Sequence, residues 1–534
     1  MGVGGTPVIW LLRIYWPQAD QSERSGWFFS QDGVEEDPVL DGEPIRHLPT
    51  LSVSNYAEAI SWETSGIGTA SASVSVLTEQ DIPNLHFRQG QRLDGARAEL
   101  SLWTPGTSYR ARLVRLRGDF IPSNIPLFGA PLEGDITQQL LEVAANYPPD
   151  GASFTTDTWP DLPSASSEGS DADATPYPVW LGAGGDFTSS DGTAKQRSCI
   201  QAILVDDAPD KILISYGHVL ASTVDVWSTE NATTETIAVD LGYDGSGNPV
   251  STCALAGTAW TWATTAADDT FYVVSITEGL RSLRGTHAVQ GLGDAILFLL
   301  LQRYDPDRAG DIIDIAAWDA LREKIDGIRV GVLVDSSGDP LDFIVSTLLP
   351  LVPGLYIVPG PFGIRPAYLE DTDPALCPLL IARDGDQRGP DLFREDDAEP
   401  EFLNNDVANR VVIRFARRVA SGKYQTAVIV GRERDAFAAA SQTRHGTKTK
   451  TIDSAVLWDR GSAWSVASRR LRFSVNAPTS DEWFAPLDVG GRLYAGQRIR
   501  VQDDDAAYDA RPMSVAGIEM TEDGAGFLVT MIDW

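Results

Sequence analysis

The chain of 534 residues is too long for a single hydrophobic core, and its length predicts three to five domains of roughly 100–150 residues each. Lys and Arg total 42 against 75 Asp and Glu, so the formal net charge is −33. This charge argues against a nucleic-acid-binding surface, because such a surface neutralises phosphates with clustered cations. It fits a protein that must stay soluble, or one whose surface should not hold DNA.

Cysteine usage indicates no covalent framework. Cys199, Cys253 and Cys377 are odd in number and widely spaced, and no CxxC pair is present. The pattern therefore predicts neither a zinc site nor a set of disulfides, and three buried thiols are the simplest interpretation. A pairing of Cys199 with Cys253 stays open.

Apolar runs are short throughout the chain. Residues 8–12 form a run of five that is followed by Arg13, which does not match a secretory leader. The longest run, residues 295–301, is far below the ~20 residues that a membrane span needs. We therefore expect a soluble chain that is not exported by the usual route.

Residues 1–160 are predicted to form an N-terminal β-barrel-like domain with one short helix. Residues 96–103 place alternate apolar side chains on one face, and a Pro-Gly pair then turns the chain into a second strand. Several such strands with regular turns indicate a sandwich or a barrel. The helix is predicted over residues 135–146, because Asp135 is a suitable N-cap with Gln138 three residues later.

Residues 161–176 are rich in Ser, Asp and Ala and low in hydrophobicity, which predicts a linker at a domain boundary. Residues 177–280 then return to short strands that are separated by turn residues. We expect these strands to form a second, inserted β domain.

Residues 281–400 are predicted to form a central α+β domain. The stretch 294–366 has the strongest helical periodicity in the chain, and its first helix is apolar nearly all round, which predicts burial. An amphipathic helix over 314–324, a strand and a third helix over 340–349 follow. The third helix begins at an Asp-Pro pair and ends before a proline, and a hairpin closes the unit.

Residues 401–534 are predicted to form a C-terminal β-barrel-like domain. The pattern indicates a helix over 462–470, a strand over 471–475 and a closing hairpin that ends the chain. The predicted fold class is therefore mainly β with a central α+β unit. It is multidomain, with two tube-like β-barrels plus an inserted β domain.

The sequence predicts no catalytic residue, no cofactor-binding residue, no metal-binding residue and no cofactor. The histidines lack metal-ligand spacing; they are His47, His86, His218, His287 and His445. A nucleophilic pair of Cys199 with His218 or His287 has no flanking signature, and a buried cysteine is the more ordinary interpretation.

Three further motifs favour structural roles. Residues 181–187 are rich in glycine but lead into more loop, unlike a dinucleotide-binding turn, which leads into a helix. Residues 240–248 and 503–505 carry oxygen ligands suited to Ca²⁺ but lack EF-hand spacing, so solvated acidic turns are expected. Residues 110–117 are locally basic, which suggests a subunit contact. The 15 tryptophans are expected mainly in cores, with some use at interfaces.

Taken in their order, three groups of segments resemble the baseplate hub, or tail-tip hub, proteins of long-tailed bacteriophages and gene-transfer particles. The first group is similar to an inserted domain of some siphophage tail proteins, the second to the central region, and the third to the β-rich C-terminal part. They are residues 177–182 with 211–220 and 224–227, residues 311–318 with 339–344, and residues 407–413 with 526–533.

The resemblance implies a structural hub that is a homotrimer and forms part of the DNA exit channel. It implies a place in the virion, at the tail tip or baseplate, after synthesis in the host bacterial cytoplasm. The implied partners are the distal tail protein, the tape-measure protein and a central spike or tail fibre. DNA would only pass through the lumen, no stable membrane insertion is expected, and an acidic lumen would repel the phosphates.

The resemblance implies no enzymatic activity. Two other functions stay open at this point. One is a tail-associated enzyme that degrades the cell wall, since some hub proteins carry a fused lysin domain. The other is a glycan-binding tail-tip module, for which residues 177–280 are the candidate.

Overall fold

The computed structural model of the chain describes the residues given next, most of which lie in strands and helices. The described residues are 8–17, 23–29, 39–40, 43–44, 51–60, 66–77, 95–104, 107, 111–124, 130–138, 146–153, 159, 176–182, 200–201, 203–207, 210–228, 234–255, 272–276, 278–283, 285–304, 312–334, 337–360, 363–368, 374–383, 391–394, 401–402, 407–417, 423–475, 479–503 and 508–533.

The described part of the first 138 residues is built from strands. These are β1 (Ile9–Pro17), β2 (Glu23–Phe29), β3 (Val39–Leu40), β4 (Glu43–Pro44), β5 (Leu51–Ala59), β6 (Thr69–Val76), β7 (Ala96–Trp103), β8 (Leu113–Pro122) and β9 (Leu132–Gln138). Strand β7 is buried along its length except for Arg97. It pairs with β1 on one side and with β8 on the other, so it lies inside its sheet and not at the edge.

The next region contains the predicted run of short strands, which is confirmed. They are β10 (Val179–Gly182), β11 (Ile200–Gln201), β12 (Ile203–Asp207), β13 (Asp210–Tyr216), β14 (Thr223–Ser228), β15 (Thr234–Ala238), β16 (Asp240–Tyr243), β17 (Pro249–Ala254) and β18 (Tyr272–Ile276). Strands β11-β18-β14-β15 form one four-stranded sheet, and β12-β13-β17-β16 form another.

The helical unit follows the predicted order of helix, helix, strand, helix and hairpin. Its elements are α1 (Leu292–Arg303), α2 (Ile315–Ile325), β19 (Gly331–Val334), α3 (Pro340–Phe343), β20 (Leu355–Val358) and β21 (Arg365–Tyr368). Helix α1 is buried nearly all round, as its composition predicts. Asp314 and Asp339 cap α2 and α3, and the chain continues from α3 through a π turn and a 3-10 turn.

The remainder of the chain contains both strands and helices. They are β22 (Leu379–Arg383), β23 (Glu401–Phe402), β24 (Arg410–Arg417), β25 (Tyr424–Val430), α4 (Ala436–His445), β26 (Thr449–Asp453), α5 (Arg460–Ser474), β27 (Thr479–Pro486), α6 (Leu487–Gly490), β28 (Arg498–Asp503), β29 (Tyr508–Met520) and β30 (Gly526–Asp533). Strands β29 and β30 form the predicted closing hairpin.

The first and last parts of the chain share one sheet. Its 13 described strands follow the path β2-β1-β7-β8-β9-β6-β5-β29-β30-β27-β23, with β28 beside β29 and β22 beside β28. The joint is antiparallel pairing between residues 57–59 of β5 and residues 517–519 of β29. The β regions at the two ends of the chain are therefore one continuous hydrogen-bonded structure.

This sheet is strongly curled. Strands β1 and β5 stand at opposite ends of a six-strand stretch, and a flat sheet would hold them roughly 24 Å apart at about 4.8 Å per strand. Instead the rings of Trp10 on β1 and Tyr56 on β5 lie 5.5 Å apart. Phe527 of β30 packs against both rings, at 6.2 and 5.9 Å. The sheet thus forms a half-barrel around these aromatic side chains.

Two large cores organise the described residues. One fills the half-barrel, and the other surrounds α1 and α2, where Trp180, Trp318 and Phe415 are no more than 1% exposed. Residues 410–475 contribute to this second core, whereas residues 479–533 belong mainly to the half-barrel. The domain limits 1–160, 177–280, 281–400 and 401–534 stay a prediction.

Two predicted elements are wrong. Residues 135–138 of the predicted helix belong to β9, and residues 139–145 lie outside the described residues. Pairing with β6 and β8 outweighs the capping preference of Asp135, whose carboxylate accepts a hydrogen bond from Ser73 Oγ at 2.7 Å. The predicted strand over 471–475 is the end of α5 through Ser474, where Leu471 faces the core at helical spacing.

The predicted fold class, mainly β with a central α+β unit and several domains, is confirmed. Among the helices that the structure describes, none combines the length and the apolar character that crossing a bilayer requires.

Candidate functional site

The described histidine candidates contact neighbouring oxygens, whereas the candidate pairing of Cys199 with His218 or His287 involves a residue outside the described ones. Nε2 of His218 lies 2.9 Å from a backbone carbonyl oxygen, and Nε2 of His287 lies 3.5 Å from Oδ2 of Asp294. Cys199 lies outside the described residues, so its pairing with Cys253 is still open. Burial raises the pKa of the Cys253 thiol to about 12. That thiol is therefore protonated at neutral pH and is a poor nucleophile.

The acidic turn at residues 240–248 is built around a buried carboxylate and not a solvated one. Asp244 is 8% exposed, and its oxygens accept hydrogen bonds from Ser246 N at 2.9 Å and Asn248 N at 2.8 Å. The Tyr177 hydroxyl donates to the same carboxylate at 2.9 Å. These hydrogen bonds occupy the carboxylate oxygens of Asp244 and hold the turn in place. In the described part of the chain, no cluster of three or more acidic, His or Cys side chains is arranged to hold a metal ion.

The locally basic residues 110–117, which lead into β8, are partly balanced within the chain. Glu99 of β7 is buried between Arg112 and Arg117, at N–O distances of 2.8 and 3.0 Å. Arg110 lies outside the described residues. One carboxylate therefore offsets one of the two positive charges, Arg117 stays 39% exposed, and the subunit contact stays a prediction.

Arg115 of β8 lies where the two ends of the chain meet. Arg115 and Glu58 form a 2.8 Å ion pair, and each side chain is 3% exposed. The guanidinium also donates to the Tyr56 hydroxyl at 3.2 Å and to the Gly491 carbonyl at 3.1 Å, while the backbone N–H of Ala495 donates to Glu58 at 2.9 Å. We call Tyr56, Glu58 and Arg115 the junction cluster.

The electrostatics of the junction cluster indicate a structural role. Burial raises the pKa of Tyr56 far above its ordinary value. Burial disfavours the charged form of Arg115, but attraction from Tyr56 and Glu58 outweighs this effect, so the pKa of Arg115 is raised. The phenol stays protonated and the guanidinium stays charged throughout the physiological range. The cluster therefore locks β5 and β8 to the C-terminal segment without transferring protons.

The outward side of β5, β6 and β9 carries a distinctive surface, which we call the hydroxyl face. Its side chains are small alcohols and carboxylates, all exposed or half-buried; they are Ser52, Ser54, Ser71, Ser73, Ser75, Glu133, Asp135 and Thr137. They form rows across the sheet, since Ser73 lies opposite both Ser54 and Asp135 in the strand register. The three strands contain no Lys and no Arg.

The hydroxyl face results from strict alternation. In β6 every second side chain is a serine or threonine, and the intervening Ala70, Ala72, Val74 and Val76 are buried in the half-barrel core. The alternation is a property of the sequence, whereas the surface is not, because the face becomes continuous only when β5, β6 and β9 are placed in register. The serines at alternate positions of β6 were the available signal.

Comparison with known proteins gives matches only among solved structures. No protein-family model and no curated protein matches the chain. A tail protein from Neisseria meningitidis MC58 aligns over 98% of this chain and 96% of its own, with 8% identity and a TM-score of 0.41. A prophage MuSo2 tail protein from Shewanella oneidensis aligns over 98% of each chain, with 9% identity and a TM-score of 0.32.

A prophage tail protein from Listeria monocytogenes EGD-e aligns over 60% of this chain and 90% of its own, with 9% identity and a TM-score of 0.28. All three of these solved structures are tail proteins. At these TM-scores and identities, the alignments carry no argument about function.

Proposed function

We propose that the chain is a structural hub of a phage tail, which joins the tail tube or distal tail ring to the tip or fibre. The observation that carries this proposal is the curled sheet that is built from both ends of the chain. A homotrimer would arrange three such sheets, each with an N-terminal and a C-terminal half, around one axis. Six β walls would then meet a six-fold tube, while the assembly itself keeps three-fold symmetry.

A wall of this kind has to keep its shape under load, and the curled sheet is suited to that task. Its two halves are joined by backbone hydrogen bonds between β5 and β29, which a rigid-body contact between separate domains would lack. The junction cluster adds a buried ion pair at the same place. Breaking such a pair is costly, because one charge would stay buried without its partner.

The hydroxyl face supplies a surface suited to a DNA channel. It presents short polar side chains and carboxylates and has no cation to hold a phosphate. Phosphate contacts from Lys and Arg dominate protein affinity for DNA, so their absence from these strands favours passage over binding. We propose that this face is part of the lumen through which the genome leaves the particle.

The further parts of the proposal rest on the sequence resemblance. They are contacts with a distal tail protein, the tape-measure protein and a central spike or tail fibre, and a position at the tail tip of the virion. The protein would act without enzymatic activity in this role.

Mass and symmetry of the purified assembly test the hub. We expect multi-angle light scattering to give the mass of three copies, and electron images to give a ring with three-fold symmetry. A protein that stays monomeric at high concentration would contradict the homotrimer. Clearing of bacterial cell wall in a zymogram by the purified protein would contradict a purely structural role.

Lysines placed on the hydroxyl face test the channel. In particles assembled with Ser54→Lys and Ser71→Lys together, we expect slower release of DNA, because phosphates would be held during passage. Ala316→Lys with Ala320→Lys is the matched control, since both residues are exposed on α2 and the charge change is the same. Equal release rates for the two variants and the wild type would remove this face from the lumen.

A further inference from the structure

Charge is segregated along this acidic chain. Residues 407–475, which we call the basic lobe, contain 14 Lys and Arg against 4 Asp and Glu, a net charge of +10. The rest of the chain, with 28 Lys and Arg against 71 Asp and Glu, carries −43. The lobe comprises β24, β25, β26, α4 and α5. A region with this excess of positive charge attracts negatively charged surfaces.

The lobe contains an arginine-rich cleft of about 560 Å³ between β25, α4 and α5. Arg410, Arg432, Arg434 and Arg460 line it, together with Trp464, and Glu433 is the carboxylate among its lining residues. Within the described residues, none of these four arginines forms an ion pair. Elsewhere in the chain, arginines such as Arg115 are matched to carboxylates.

The cleft also has the composition of a protein interface. The guanidinium of Arg434 lies 5.2 Å from the ring centre of Trp464, and Ile429 in the wall of the cleft is 51% exposed. Phe437 on α4, which does not line the cleft, is 71% exposed. Arginine and aromatic side chains are enriched in the centres of protein interfaces, where they supply most of the binding energy.

We infer that the cleft of the basic lobe binds carboxylates on the acidic surface of a second copy of this chain. A cyclic trimer requires a head-to-tail contact, in which one surface of each subunit meets a different surface of the next. A lobe of +10 and a remainder of −43 give one chain two regions of opposite charge, which would attract each other between copies. This inference rests on the proposed homotrimer and assigns one of its contact surfaces.

Charge reversal in the cleft tests the inference. Arg432 and Arg460 are both exposed and lie outside the two cores, so Arg432→Glu with Arg460→Glu should leave the fold intact. We expect the dissociation constant for self-association to rise on the order of 100-fold, since like charges would now face each other. Lys423→Glu with Arg444→Glu is the control, because these exposed residues belong to the lobe but do not line the cleft.

Sedimentation equilibrium of both variants, with circular dichroism as the check on folding, gives the result. We expect the control to stay within about threefold of the wild type, and 1 M NaCl to dissociate the wild type, because the Debye length then falls to about 3 Å. If the wild type is a trimer and the cleft variant stays one, this inference alone is overturned. A wild type that is monomeric would overturn the homotrimer as well.

Mixing distinguishes the head-to-tail contact from other uses of the cleft. The cleft variant keeps its acidic surface, so it should bind to the lobe of a wild-type copy and stop ring closure, which lowers the yield of trimers. If the wild type forms trimers at its usual yield and the variant stays unbound beside them, the inference is contradicted. The inference would also be overturned in favour of a nucleic-acid site if the wild type binds a short DNA duplex and the cleft variant does not, while the two self-associate equally.

Discussion

Arg115 is the residue on which the joint between the two ends of the chain most depends. Its buried charge is balanced by Glu58, and it reaches the backbone that follows α6. Arg115→Met keeps a similar length but leaves Glu58 buried without a countercharge. We expect the free energy of unfolding to fall by about 3–5 kcal/mol, measured by urea denaturation with tryptophan fluorescence.

Arg117 on the same strand is the matched control for Arg115. Its side chain is 39% exposed in its pair with Glu99, so Arg117→Met should cost less than about 1 kcal/mol. Adding Glu58→Gln to Arg115→Met should recover part of the loss, because the amide keeps an acceptor for Ala495 N–H and carries no charge. Equal losses at positions 115 and 117 would contradict the importance of the buried pair.

Asp339 gives a prediction about pH. Its carboxylate binds the guanidinium of Arg303 at 2.7 and 2.8 Å and accepts from the Leu341 N–H at 2.9 Å. Although burial opposes the charged form, these hydrogen bonds hold the pKa of Asp339 below its ordinary value. Its stabilising contribution is thus complete above the unfolded pKa of about 3.9 and is lost as the pH falls through the lower folded pKa.

We therefore expect Asp339→Asn to lower the free energy of unfolding by about 2–3 kcal/mol at pH 7, since Arg303 loses its charged partner. The difference from the wild type should shrink as the pH falls below about 4. Asp342→Asn in the same helix is the control, because Asp342 is exposed. A loss at position 339 that does not depend on pH would show that packing, and not the ion pair, is responsible.

At the scale of elements, local signals predicted the helical unit well. The Asp339-Pro340 start and the buried helix α1 were both visible in the sequence, because caps and apolar spacing act within a few residues. The π turn after α3, over Ile344–Leu348, was not visible. Local signals also failed at residues 135–138. This segment carries a helix-capping residue, but pairing with β6 and β8 makes it a strand.

Gly182, the last residue of β10, lies very close to the backbone of Val330, and a substitution there tests this contact. Its φ is +84°, and a Cβ there would lie 2.1 Å from the Val330 carbonyl oxygen. We expect Gly182→Ala to cost about 3–5 kcal/mol, from left-handed backbone strain together with steric overlap. Gly247 has almost the same φ of +85° but no atom within 4 Å of the added Cβ, so Gly247→Ala should cost about 1–2 kcal/mol. Thermal unfolding of the two variants measures the difference, and equal losses would rule out the steric effect.

At the scale of the whole molecule, the joint between β5 and β29 was not predictable from sequence. Alternation of polar and apolar residues identifies a strand and its buried face, but it does not identify the partner strand. Residues 57–59 and 517–519 are separated by nearly the entire chain, yet they pair directly. The hydroxyl face depends on the same pairing information, because it extends across three strands in register.

Phe527 tests whether this sheet behaves as one unit. It lies near the end of the chain, is fully buried, and packs against Trp10 and Tyr56 from the first strands. Phe527→Ala should cost about 3–5 kcal/mol, because it leaves a cavity in the half-barrel core. Hydrogen exchange should then show weaker protection in β1 and β5 as well as in β30, since a cooperative unit opens as a whole.

Phe415 is the matched control for Phe527, because it is 1% exposed in the other core. Phe415→Ala should cost a similar amount, but its loss of protection should centre on β24, β25 and α5. Faster exchange in β30 alone after Phe527→Ala would mean that the two halves of the sheet open independently. A hub wall that transmits force between its halves requires the cooperative result, so this measurement bears directly on the proposed role.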